Sequence, residues 1–270
     1  MGTKWNILGI LLSIFLLGGC EMIEYHPYDG RIKGETGINA KNIARIEAAC
    51  ANKTTIRFAM MGDTQRWYDE TEDFVKHLNT RNDIDFVIHG GDLADFGLTK
   101  EFMWMRDIMN GLKVPYVALL GNHDCLANGE EVFNVIFGNP NFSFIAGRVK
   151  FVCLNTNALE FDYSLPVPDF NFIDDQLYER EEEFDKTVFA MHARPYSEEF
   201  NNNVAKVFQK AIKEYPKLQF CLNAHDHSVQ ATDIFNDGIM YYGSPSINKR
   251  SYLVLTITPD DKYTYEVVEF

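Results

Sequence analysis

The chain has 270 residues, 46% of them hydrophobic and 14% aromatic, with a formal net charge of −14. That length and apolar content suffice for one sizeable core, and no shift in composition marks a second folded unit. The acidic balance argues against a nucleic-acid duplex or an anionic headgroup surface as an extended partner, so a phosphate-bearing ligand would have to be held locally, by metal.

At the N-terminus, Lys4 precedes an apolar run from Ile7 to Leu17 that is too short to span a bilayer comfortably and ends in Gly18-Gly19-Cys20. This pattern predicts an export signal. Its ending resembles a bacterial lipobox, which implies a lipoprotein signal peptide over residues 1–19, acylation of Cys20 and a membrane-anchored protein of the bacterial cell envelope. Loss of Lys4 with the leader would take the net charge from −14 to −15. The remaining cysteines, Cys50, Cys125, Cys153 and Cys221, form no Cys-x-x-Cys pair, which leaves zinc-finger and thioredoxin-like chemistry without support. Cys153 and Cys221 sit in strand-like runs and read as small core residues.

Residues 20–53 read as a Gly-rich polar tether followed by a short helix, with Asn39 as its cap and Ile43, Ile46 and Cys50 on one face. The folded domain is expected over 54–270. Within it, TIRFAMMG, IDFVIHGG and VPYVALLG are strand-length apolar runs ending in glycine, separated by the helical patterns DETEDFVKHLN and TKEFMWMRDIMNGL. This alternation predicts βαβ units with parallel strands. Further strands follow at FSFIAG, VKFVCLN, KTVFAMHA and LQFCLNAH, with helices over DFNFIDDQLYEREEEF and NNNVAKVFQKAIKEY. The chain closes on IMYYG, SYLVLTITP and YTYEVVEF, hairpin-like strands that predict an α/β fold of two packed mixed sheets with helices outside.

The early strands end in polar groups: Asp63 after Gly62, Asp92 after Gly91, and Asn122 with His123 after Gly121. In an α/β sheet the ligand site lies beyond the carboxyl ends of the strands, so these residues are expected to converge. Two later strands end at His192 and at His225 and His227. With Gln65 the set is Asp63, Gln65, Asp92, Asn122, His192, His225 and His227, a mixture of oxygen and imidazole donors that suits Mn, Fe, Zn or Ni better than calcium. There are more donors than one ion usually takes. Two divalent ions sharing a carboxylate, roughly 3.5–4 Å apart, form the clamp used in phosphoryl transfer.

The order GDTQ, GGDLAD, GNHD, AMHARP, NAHDH resembles the motif order of the calcineurin-like metallophosphoesterases, over effectively the whole domain. The resemblance implies the family's four-layer α/β/β/α sandwich. It further implies that Asp63, Gln65, Asp92 and His227 hold one metal and that Asp92, Asn122, His192 and His225 hold the second, with Asp92 bridging. His123 would serve the leaving oxygen, oriented by Asp95. The implied activity is hydrolysis of a phosphate mono- or diester by a hydroxide lying between the ions. A membrane-anchored lipoprotein that binds metal or a phosphorylated ligand without catalysis is the alternative.

Three departures from the common pattern stand out. Gln65 replaces a histidine and would bind its ion more weakly, and Ala224 replaces the glycine of Gly-His-x-His. Phe96 stands where protein phosphatases of this superfamily have an arginine, and Asp95 where purple acid phosphatases have a tyrosine ligand, which weighs against both branches. Arg66 and Arg194 adjoin candidate ligands and are candidates for a substrate phosphate. His26, His77 and His89 read as structural, with His89 a candidate outer partner of the site.

Overall fold

The computed structural model of the protein describes residues 30–161 and 165–270; the expected signal peptide, Cys20 and His26 lie outside them. Among the described residues no helix is long and apolar enough to cross a membrane. In chain order come α1 (Ile38–Cys50), β1 (Ile56–Met61), α2 (Tyr68–Leu78), β2 (Phe86–His89), α3 (Thr99–Met109), β3 (Tyr116–Ala118) and α4 (Gly129–Ile136). The second half contains β4 (Phe142–Ala146), β5 (Val149–Leu154), α5 (Phe170–Tyr178), β6 (Lys186–Met191), α6 (Ala205–Ile212), β7 (Leu218–Asn223), β8 (Gln230–Thr232), β9 (Tyr241–Gly243), β10 (Ser251–Ile257) and β11 (Tyr263–Glu269).

The strands form two mixed sheets, ordered β11-β10-β1-β2-β3 and β4-β5-β6-β7-β9-β8. In the first, β1, β2 and β3 run parallel, β10 runs antiparallel to β1, and β11 antiparallel to β10; in the second, β5, β6, β7 and β9 run parallel. The closing strands are thus divided, β9 joining one sheet and the β10–β11 hairpin the other. Sequence reading groups them together because adjacency in the chain does not reveal which sheet receives a strand.

Because β2, β5 and β6 are buried along their whole length, alternate residues feed different layers. Phe58, Met60, Phe86 and Ile88 of the first sheet meet Phe144, Phe151, Val188 and Leu222 of the second. The opposite faces pack on helices: Met61 and Val87 against Phe74, Phe102 and Phe133, and Val152 and Phe189 against Ile173, Phe208 and Ile212. Helix, sheet, sheet and helix form four layers. Helix α1 belongs to this body and does not stand outside it, since Ile46 and Cys50 are fully buried in the layer between the sheets. Asn39 is not its cap. Gly37 holds that position, and the Asn39 amide grips both the N–H and the C=O of Ala118 at 2.9 Å, locking α1 to β3. Cys153 and Cys221 are fully buried and free, as core residues.

Phe151 is the hub of the central layer, meeting Phe58 and Phe86 edge-on at 5.1 and 5.3 Å and stacking on Phe144 at 4.8 Å. Phe151→Ala is expected to destabilise the fold by about 3–5 kcal/mol, read as a lower urea midpoint at unchanged slope. A loss below about 1 kcal/mol would mean that the sheets are not packed through this ring.

Candidate metal centre

The carboxyl ends of β1, β2, β3, β6 and β7 meet at one edge of the sandwich. The turns there are bonded together: Asp63 N–H donates to Gly91 O, and Thr64 N–H and Gln65 N–H both donate to Asp92 O, each at 3.0 Å. Ala224 N–H donates to His192 O at 3.0 Å, which joins the tips of β6 and β7. Glycines are required where these turns touch. A Cβ on Gly121 would lie 2.1 Å from Asp92 Oδ1, and one on Gly91 2.7 Å from His192 Nδ1. The Cβ of Ala224 occupies space left by Gly62 and Gly90, so this departure from glycine is accommodated.

The four acids and imidazoles that open these turns have left-handed backbones, with φ of 52° at Asp63, 58° at Asp92, 66° at His225 and 53° at His227. Such conformations are uncommon for residues other than glycine and persist where surrounding contacts impose them. Here they turn side chains inward that a regular strand exit would direct elsewhere.

All seven candidate ligands gather in this region. One donor atom each from Asp63, Asp92 and His192 lies within 4.8 Å of the others. His192 Nδ1–H donates to Gly90 O at 2.8 Å, so its Nε2 presents a lone pair, 3.0 Å from Asn122 Oδ1 and 3.5 Å from Asp92 Oδ1. Asn122 Oδ1 also lies 3.1 Å from His225 Nδ1, and His227 Nε2 lies 3.4 Å from Asp63 Oδ1. Gln65 Nε2 donates to Asp92 Oδ2 at 3.2 Å. Asp63 Oδ2 and Gln65 Oε1 are both buried without a hydrogen-bond partner. An orphaned carboxylate oxygen, an orphaned amide oxygen and converging lone pairs together fit a cation better than a hydrogen-bond network.

The electrostatics agree with that fit. Burial and the neighbouring His192 push His225 down to about 4, keeping its lone pair free near neutral pH. The hydrogen bond to Asp63 raises His227, so a cation arriving there would displace a proton. Burial raises Asp92, which marks an anion with too little compensation from the protein alone.

His123 reaches the same cleft. Its Nδ1–H donates to the backbone carbonyl of Asp95 at 2.9 Å, while the Asp95 carboxylate lies 3.7 Å away. The ring is therefore oriented chiefly through the Asp95 carbonyl, whereas the sequence points to its carboxylate. That carboxylate is paired with Arg66. Arg194 binds Asp226 at 2.7 Å and lines the cleft, a space of about 560 Å³ that it shares with Asp92, Asn122, His123, Tyr196, Glu198, His225 and His227. His89 stands behind the site, fully buried; it accepts from Gly91 N–H at 3.2 Å and meets Thr64 Oγ at 2.9 Å, and burial pushes it down to about 3. Trp67 packs on the core beside the first sheet, and Tyr68 meets Trp104 edge-on in an outer groove.

Three participants escape sequence reading. Asp124, fully buried, accepts from Ala94 N–H at 2.8 Å and Gly121 N–H at 2.9 Å, buckling two ligand turns together. Its place in GNHD was the available signal. Glu198 and Glu199 form an acidic wall near the site. Glu199 is pushed up to about 7 by burial first and by Glu160 next. Nothing in the spacing of SEEF distinguishes these residues from a solvated turn.

The sequence profile of the calcineurin-like phosphoesterases matches residues 56–229, a span that contains every one of these turns. The chain belongs to that family. A Nostoc 3′,5′-cyclic-nucleotide phosphodiesterase is 26% identical over 174 residues, which are 62% of this chain and 64% of the relative. The chain thus spans less than two thirds of that relative's length. A dimetal phosphatase from Danio rerio shares the fold with a TM-score of 0.61 at 11% identity, covering 80% of this chain and 98% of its own. GAP50, the anchor in the inner membrane complex of Plasmodium, shares it equally with a TM-score of 0.61 at 13% identity, covering 80% and 85%. The two packed sheets and outer helices are the family's architecture, and metal dependence is the family's chemistry.

Proposed function

We propose that this chain is a binuclear metallophosphoesterase that cleaves phosphodiesters, cyclic nucleotides among them. The observation that carries this reading is the pair of buried, unpartnered acceptors, Asp63 Oδ2 and Gln65 Oε1, beside the triple of Asp63, Asp92 and His192. Asp63, Gln65, Asp92 and His227 would hold one divalent ion, and Asp92, Asn122, His192 and His225 the other. When bound, such a pair lowers the pKa of water and neutralises phosphoryl oxygens. His123, whose Nδ1–H is committed to the Asp95 carbonyl, would carry a second proton at Nε2 in its imidazolium form and give it to the departing oxygen.

Two features support a diester over a monoester. The cations beside the cleft, Arg66 and Arg194, are each paired with a carboxylate. Glu198 lines the cleft, and Glu160 stands close enough to His123 and Asp92 to feel both charges. A singly charged diester meets less repulsion there than a dianionic monoester. The Nostoc relative is named for cyclic-nucleotide diesters.

Metal analysis of the isolated protein, paired with hydrolysis of bis(p-nitrophenyl) phosphate, p-nitrophenyl phosphate and a 3′,5′-cyclic nucleotide under several divalent ions, tests this. The expected result is two ions per chain, faster diester than monoester turnover, and higher occupancy at limiting metal in Gln65→His. Metal content at background, or metal bound with no substrate hydrolysed, would contradict it; the second outcome is what a non-catalytic binding protein would give. We further read Cys20 as the lipid-bearing residue of an envelope protein. A native protein whose Cys20 carries no acyl mass would refute that assignment.

A further inference from the structure

Tyr196 lies in the turn after β6 and takes no part in the proposed chemistry. Its residue is 48% exposed although Ser197 beside it is buried, and it lines the same cleft as His123, His225 and His227. Its backbone is left-handed, with φ of 67°. That strain is held by Asn202, whose Oδ1 accepts from Tyr196 N–H at 2.8 Å while its Nδ2–H₂ donates to Ser197 O at 2.8 Å. Ser197 N–H also donates to Arg194 O at 3.1 Å. The turn is thus fixed by several hydrogen bonds while about half of Tyr196 stays open to solvent.

Behind the ring stands Phe235, 5.4 Å away and tilted by 41°, itself 6.2 Å from the buried Tyr241. The platform is therefore supported from the core. Besides the candidate ligands and His123, the cleft presents Glu198, Asp226 and the Arg194 paired with Asp226. Carboxylates there disfavour a second phosphate and accept hydrogen bonds from amino or ring N–H groups. A cleft of about 560 Å³ also has room for more than a phosphate.

We infer that Tyr196 is the stacking platform for the planar organic part of the substrate, a nucleobase, with the phosphate held at the strand tips. This rests on the reading of the cleft as a phosphoester site. Base-on-aromatic stacking tolerates every base, so the platform favours nucleotides as a class and does not select one of them.

The test is calorimetric titration of the manganese-loaded full chain with AMP and with ribose 5-phosphate, for the wild type, Tyr196→Ala and Tyr196→Phe. AMP is expected to bind the wild type about tenfold more tightly than the base-free sugar phosphate. Tyr196→Ala should bring the two affinities together, and Tyr196→Phe should preserve the gap, which also shows that the turn still folds. Equal affinities in the wild type, a gap that survives Tyr196→Ala, or no binding of either compound would each overturn the inference. Because binding is read without turnover, an inactive but AMP-selective protein would refute the catalytic proposal and leave this one standing.

Discussion

Asp92→Asn should abolish metal loading and lower diester turnover by on the order of a thousandfold, the scale at which one preorganised transition-state contact is lost. Asp92 is the carboxylate that both proposed ions share, and asparagine keeps its shape while removing its charge. The hydrogen bond from His123 N–H to Oδ1, at 3.0 Å, can persist in the variant, so the turn need not collapse. Burial raises Asp92, which means that the charged form is costly in the metal-free protein. The metal-free variant should therefore be at least as stable as the metal-free wild type. The wild type should gain about 2.7 kcal/mol when an ion is present at a hundred times its Kd, and the variant should gain none. Thermal melts with and without manganese check both halves. A variant that still shows the metal-induced rise in Tm would remove Asp92 from the centre.

His123→Ala should separate substrates by their leaving groups. Proton delivery is worth about 10²–10⁴-fold where the departing alkoxide is basic, as with a nucleoside. A nitrophenolate leaves without help. Turnover of a cyclic nucleotide should thus fall by about two orders of magnitude or more, that of bis(p-nitrophenyl) phosphate much less, and metal content should hold, since His123 contacts Asp92 through its backbone N–H. Equal losses on both substrates would show that the imidazole positions the phosphate and delivers no proton. Asp95→Asn is a useful companion, because the ring is anchored to the Asp95 carbonyl, which that change leaves in place.

The strand tips were legible because their signals are local. A glycine before a polar residue at the end of an apolar run marks a turn open to ligands, and Asp63, Asp92, Asn122, His192, His225 and His227 all follow strands that the sequence delimits to within a few residues. The mixed two-sheet architecture was legible for a similar reason, since the period of each run identifies its element. Long-range choices were not. That Asn39 clamps Ala118 across 79 residues, that β9 and β10 enter different sheets, and that Asp124 ties two turns together depend on partners which no short window contains. Helix α4, 8 residues long, was not among the elements predicted from the sequence. Tyr196 escaped because an aromatic residue in a polar loop reads alike whether it packs or projects.

The left-handed conformations at Asp63, Asp92, His225 and His227 have an evolutionary corollary. Each costs about 1 kcal/mol or more that glycine would not incur, so random drift toward sturdier folding presses continually against these four positions. Demand for what the cage does would offset that pressure. A descendant released from that demand would be expected to shed the strained corners first, becoming a hardier scaffold with an empty mouth.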